Sequence, residues 1–168
     1  MFGIAILSTL LTITYGVLHD QVTIRICPEY FTVFHPHLID TGSLTVLAAA
    51  WGVVATWWIG LPIGLTLGLA ATTGIRPRRT ARQVVPSIVI GLGLTAGAAA
   101  LAGMLGFLAG STGWVHVIGP LARELPATRH TPFIAVLWTH LASYGVGAVA
   151  GIVLVVRTWR SRSIAAVT

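Results

Sequence analysis

Six residues with nitrogen or carboxylate donors stand out in this chain: His19, Asp20, Glu29, His35, His37 and His140. Imidazole and carboxylate together suit zinc, copper or non-haem iron. Asp20 follows His19 directly and can orient its imidazole, an arrangement common behind metal-binding histidines. His35-Pro36-His37 in extended backbone sets both rings on one side, a spacing suited to chelation. Tyr15 precedes His19 by four residues and Tyr144 follows His140 by four. Residues four apart share a helix face, so each histidine has a phenol one turn away. Haem b is the other cofactor this set admits. His19 and His140 would be its axial ligands, Tyr15, Trp51 and Tyr144 would surround it, and Gly103 opposite would leave room. The carboxylates crowded near His19 favour a metal ion over haem.

These groups are not scattered. All four carboxylates (Asp20, Glu29, Asp40, Glu124) and five of the six histidines fall within residues 19–42 and 111–131. Seven of the ten arginines lie elsewhere, in the 71–83 connection and the C-terminal tail. Plainer readings stand beside the chemical ones. Asp20, Arg25 and Glu29 can form a salt-bridge network that ties down the first segment. Asp40 before Thr41-Gly42-Ser43 reads as the N-cap region of a helix. His116 and His130 read as solvated, Arg123 and Glu124 as a surface pair, and Trp114 as an anchor at the lipid headgroups.

The elements that must hold these residues are membrane helices. Hydrophobic residues make up 55% of the 168 and charged residues 8%, against roughly 25% charged in a soluble domain. Four stretches are long and apolar enough to cross a bilayer, which takes about 20 residues. They run over about 2–27, 43–71, 84–110 and 132–156. The first lacks the basic start and small-residue cleavage site of a signal peptide and is read as a retained helix. The expected fold is an all-α membrane protein, a four-transmembrane-helix up-down bundle in a single domain. Positive charge stays on the cytoplasmic side. Both termini, the arginine-rich 71–83 connection and the tail are therefore expected in the cytoplasm, with segments 19–42 and 111–131 outside the inner (plasma) membrane.

Depth ties the site to this frame. Nothing between Val17 and Cys27 breaks a helix, and Pro28 is the first residue that would. His19 then lies eight residues below the outer end of helix one, or about 12 Å. His140 lies eight residues into the last span, at about the same depth, with Trp51 at that level on span two. An imidazole facing lipid is costly, so the two histidines are expected to meet inside the bundle. Helices one and four are expected side by side, with Glu29 and one of His35 or His37 closing the cavity from above. Trp57 and Trp58 are expected in the core, and Pro62 and Pro86 are expected to kink or start their helices.

Gly60/Gly64/Gly68, Gly93/Gly97, Gly106/Gly110 and Gly147/Gly151 form small-residue ridges that permit close helix approach. They serve a tight monomer, a homo-oligomer or docking to a larger membrane complex. The net charge of +6 comes from arginines flanking apolar spans, which argues against nucleic acid. The all-arginine usage suggests a GC-rich bacterial genome. Cys27 is the only cysteine, which excludes an internal disulfide and any paired-cysteine metal motif. No phosphate-binding loop, nucleophile elbow or zinc-protease motif occurs.

The string YGVLHDQVTIRICPEYFTVFHP, followed by WGVVATWWIGLPIGL, resembles a group of small multi-pass bacterial membrane proteins of unassigned function. The likeness covers mainly residues 15–64 and implies no activity, substrate or cofactor. The residues themselves support three functions in descending order. The first is a transition-metal or haem protein for redox chemistry or metal handling, and the second a non-catalytic subunit of a membrane complex. The third is a proton-coupled transporter, which the absence of acids deeper in the spans argues against.

Overall fold

In the computed structural model, which describes residues 1–162, every regular element among the described residues is helical. Helix α1 runs over Phe2–Ile26, α2 over Leu44–Thr72, α3 over Ala81–Ser111, the short α4 over Pro120–Glu124 and α5 over His130–Arg160. A π-helical turn, Tyr30–Phe34, follows α1, and a 3-10 turn, Ala127–Arg129, leads into α5. Residues 163–168 of the tail lie outside the described residues. Four helices are long and apolar enough to cross a membrane. Only 11–22% of each span is buried within the protein, so most of its apolar surface looks outward. Such a surface suits lipid and not water.

Local chemistry fixes the helix ends. Pro28 pushes the residue before it out of the α region, and Cys27 leaves the helix at φ −143°, ψ 88°. His19, Asp20, Thr23 and Arg25 are therefore all helical. Ser43, and not the neighbourhood of Asp40, caps α2, its hydroxyl accepting from the Val46 amide at 3.4 Å. Asp40 is exposed and outside the cap. Thr80 and Gln83 form a capping box at the start of α3. Pro86 starts nothing, since α3 begins at Ala81 and runs through it, as α2 runs through Pro62.

The helices pack in a way the sequence reading did not anticipate. The two extensive interfaces are α1 with α2 and α3 with α5, joined by lesser contacts of α2 with α5 and α1 with α3. Helices α1 and α5 were expected side by side; they face each other across the interior and touch little. The glycine ridges explain the main pairings. A Cβ on Gly52 would lie 2.5 Å from the Val17 Cα, and one on Gly64 would lie 2.8 Å from the Ala5 carbonyl. Only bare backbone lets α1 and α2 come this close. Gly106 and Gly110 receive α5 in the same way, against Trp138 and Thr131. These ridges are filled by the chain's own helices, while Gly93 and Gly97 meet nothing within 4 Å.

Two apolar cores separate the ends. Ile24, Cys27, Tyr30, Phe31, Leu125 and Phe133 gather at one end, and Ile4, Leu67, Ala71, Val84 and Ile88 near the other. Trp57 and Trp58 are not core: at 48% and 55% exposure they point away from the bundle, where lipid is the natural solvent for indole. Arg162 is not a free orienting charge. It is 1% exposed and donates to the carbonyls of Ala70, Thr73, Arg76 and Pro77. Its guanidinium thus satisfies α2 carbonyls left without partners at the helix end.

Candidate metal centre

Three residues on one stripe of α1 build the site. Tyr15, His19 and Thr23 follow at intervals of four and face inward, with Asp20 beside them. Across the interior α5 presents His140, Ser143 and Tyr144. The His19 and His140 rings meet edge to face with centroids 4.8 Å apart. His140 Nε2 lies 3.2 Å from Thr23 Oγ1 and 3.9 Å from Asp20 Oδ1. Asp20 and His140 are 3% and 6% exposed. Asp20 was expected to brace its neighbour His19; successive helical residues diverge by about 100°, and the carboxylate reaches His140 instead.

One donor atom from each of His19, Asp20 and His140 lies within 4.8 Å of the others, so the group could hold a metal ion. Metal bonds to nitrogen and oxygen run about 2.0–2.2 Å, so two ligand atoms at tetrahedral angles on one ion lie about 3.3–3.6 Å apart. The set is therefore open, and its widest pair must close by about 1 Å on an ion. His19 Nε2 is buried without a hydrogen-bond partner among the described residues. A lone nitrogen facing its neighbours is what an incoming ion requires.

Hydrogen bonds support the donors from behind. Tyr15 Oη stands between Ser143 Oγ at 2.8 Å and His19 Nδ1 at 3.4 Å. When His19 Nδ1–H donates to Tyr15 and Tyr15 donates to Ser143, Nε2 keeps its lone pair for a metal. The reverse order places the proton on Nε2. Thr23 donates to the His19 carbonyl at 3.2 Å, which leaves its lone pairs to accept from His140. Thr23 and Ser143 were not anticipated. Hydroxyls are common in membrane helices, and only their place one turn from a histidine could have marked them.

Haem does not fit between these rings. At 4.8 Å between centroids, two axial imidazoles leave no gap for a macrocycle, since each metal–nitrogen bond alone needs about 2 Å. Tyr30 stacks on the outer face of His140 at 4.5 Å, and Phe31 meets it at 5.8 Å.

The remaining expected residues stand apart from this cluster. Tyr30 packs against both His140 and His35, whose ring lies 4.7 Å from it. His35 Nδ1 lies 2.7 Å from the Tyr30 carbonyl, and its ring meets Trp51 at 4.9 Å. His37 is exposed. Trp51 leaves its buried indole nitrogen without a partner among the described residues. Tyr144 is 6.4 Å from His140 between ring centroids. Glu29 does not close the cavity, because it pairs with Arg129 at 2.9 Å and accepts from the Cys27 thiol at 3.3 Å. Burial works against its ionisation, yet Arg129, its own backbone amide and Cys27 hold the Glu29 carboxyl below its ordinary value. The expected Asp20–Arg25–Glu29 network is absent among the described residues, and Arg25 bonds Gln21 and Thr45. The cover over the site is aromatic, made by Tyr30 and Phe31 in place of the charged and imidazole groups the sequence suggested.

Below the site a cavity of about 80 Å³ reaches toward the far end between the four helices. Ser8, Thr12, Tyr15, Thr56, Thr95 and Ser143 contribute hydroxyls to it. That volume is enough for a few waters at roughly 30 Å³ each. No family model, curated protein or solved structure matches this chain.

Proposed function

We propose that this is a multi-pass membrane protein that binds one divalent transition-metal ion through His19, Asp20 and His140. α1, α2, α3 and α5 cross the bilayer in alternating directions, with the site in its outer third. The observation that carries this reading is convergence. Two imidazoles and a carboxylate, from helices that hardly touch elsewhere, come within 4.8 Å of one another in a buried interior. Leaving three ionisable groups together in apolar surroundings is costly unless they are paired or ligate a metal.

The donor set suits zinc, iron(II) or copper, and three protein ligands leave room for a further one. Bound there, the ion would supply Lewis acidity or, if iron or copper, electron transfer. Tyr15 and Ser143 would hold the His19 tautomer that ligates. Tyr30 and Phe31 keep bulk water from that side. Elemental analysis of the protein purified without chelator is the test. About one metal per chain, lost in a His19→Ala/His140→Ala variant that still folds, is the expected result. Equal metal content in both proteins would end this reading.

A second reading, a non-catalytic subunit of a larger membrane assembly, is favoured by one feature. Gly93 and Gly97 offer a small-residue stripe on α3 that no helix of this chain fills. Stoichiometric co-purification of a partner in mild detergent, lost in Gly97→Leu, would support it.

A further inference from the structure

The end of the molecule away from the metal site carries positive charge without carboxylates to balance it. All four Asp and Glu side chains lie in residues 19–42 and 111–131, while seven arginines lie in the 71–83 connection and at the end of the chain. Three of these are engaged within the protein. Arg162 binds the end of α2 as described above, Arg79 donates to the Ser161 carbonyl at 3.0 Å, and Arg76 donates to the Trp159 carbonyl at 3.1 Å. Arg78, Arg82, Arg157 and Arg160 are exposed, and none makes an ion pair among the described residues.

One of the four, Arg160, stands at the mouth of a groove of about 380 Å³ between the last turns of α2 and α5. That is within the roughly 300–1,000 Å³ of small-molecule sites. Both helices end here, so depth runs the same way along each. Leu69 and Ala70 line the deeper part on α2, and Val155 and Val156 on α5; Thr73, Trp159 and Arg160 follow one turn on. From Val155 to Arg160 the wall passes from aliphatic to indole to guanidinium within about 7.5 Å, at 1.5 Å per residue. Leu69, Val156 and Trp159 are 45%, 43% and 41% exposed, so this surface is open and not a packed seam. The indole is a fixed wall, with the guanidinium carbons of Arg76 and Arg162 at 5.0 and 5.5 Å from its ring centre.

An occupant must match that gradient, with hydrocarbon in the deeper part and negative charge at the guanidinium. Indole sits at the headgroup level of a bilayer. Arginines at the ends of membrane helices attract anionic headgroups, and a guanidinium grips phosphate through two donors at once. We propose that the groove binds one anionic phospholipid, with an acyl chain against Leu69, Val155 and Val156 and its phosphate on Arg160. A zwitterionic lipid brings an ammonium into a field of arginines, and a soluble phosphate leaves the aliphatic floor bare. A second copy of this chain would bring the same cationic end against this one. The proposal rests on the membrane placement above, and on neither the metal nor the side the arginines face.

The test is native mass spectrometry of the full-length protein in detergent, after incubation with dioleoyl phosphatidylglycerol or with phosphatidylcholine of the same chains. Phosphatidylglycerol should be retained as a single copy, and phosphatidylcholine much less. Retention should fall about fivefold in Arg160→Gln, the order of one arginine's attraction to an anionic lipid surface. It should fall as far in Val156→Trp, which fills the groove from an exposed position. Arg78→Gln, outside the groove, should matter far less. Circular dichroism confirms that each variant is folded, and Val156→Phe serves if Val156→Trp is not. Equal retention of phosphatidylcholine, an equal fall in Arg78→Gln, or no change in Val156→Trp overturns the proposal. So does displacement of the lipid by inorganic phosphate. Release of the protein from membranes by alkaline carbonate without detergent would instead end the membrane placement.

Discussion

At the level of single residues, the site depends on which atom each imidazole leaves free. His19 can ligate through Nε2 only while Nδ1–H donates to Tyr15, so Tyr15 sets the tautomer. Removing such a supporting bond typically costs 10- to 100-fold in metal affinity. Tyr15→Phe should therefore weaken zinc binding about tenfold in a competition titration, with His35→Ala and His37→Ala unchanged. A Tyr15→Phe protein that binds as tightly as the parent would remove Tyr15 from this role. The pairing of His19 with His140 was legible because equal depth and equal spacing to a tyrosine are sequence quantities. That Asp20 approaches His140, and that Tyr30 packs on both His140 and His35, was not. Both depend on how α1 is rotated and how residues 28–43 fold back, which no spacing encodes. Glu29 supports a second residue-scale expectation. Its carboxyl is held below the ordinary value of 4.5, so the Arg129 pair stabilises the fold above that pH and is lost as the pH falls through the lowered value. With both side chains partly exposed, the coupling should be small, about 0.2–1 kcal/mol. A double-mutant cycle of Glu29→Gln and Arg129→Gln should show it near pH 7 and show it fade as the pH falls through the lowered value. A coupling that persists in acid would mean the interaction is not ionic.

At the level of elements, helix existence was plain from composition, and helix pairing was not. Apolar runs and the Pro28 stop define α1, but which helix lies beside it depends on where small residues permit contact. The glycines carried that information without naming partners. Gly60, Gly64 and Gly68 alone cannot say that α1 is the helix they receive. The structure separates structural glycines from free ones, and the difference is measurable. Gly52 faces the Val17 backbone at a distance no side chain tolerates, so Gly52→Ala must push α1 and α2 apart. Overpacking of this kind costs about 1–3 kcal/mol. Gly93 meets nothing, and Gly93→Ala should be neutral or stabilise by up to about 1 kcal/mol through helix propensity. Unfolding in mixed micelles would compare them, and equal effects would contradict the α1–α2 seam.

At the level of the whole molecule, charge and packing meet at the two ends. The Glu29–Arg129 pair and the apolar cluster joining Phe31 to Leu125 put the segments after α1 and before α5 at one end. Met1 packs against Gly68, and Arg162 binds the α2–α3 connection, which puts the start of α1 and the end of α5 at the other. The arginine count is three at the first end and seven at the second. Pairing sharpens this bias at the first end, where Arg129 is held by Glu29; the expected Arg123–Glu124 pair is absent among the described residues. In the proposed orientation, retention of positive charge on the cytoplasmic side would send the site's end outward and the Met1 and Arg162 end inward. A green fluorescent protein fused at the C-terminus should fluoresce, and alkaline phosphatase fused there should be inactive. Alkaline phosphatase inserted after Thr112 should be active. The reverse pattern would place the His19–His140 site facing the cytoplasm. It would leave the internal geometry untouched but change which compartment supplies the metal. Replacing Arg76, Arg78 and Arg79 by glutamine should raise the misoriented fraction, because those three make up much of the charge difference that holds the connection inside.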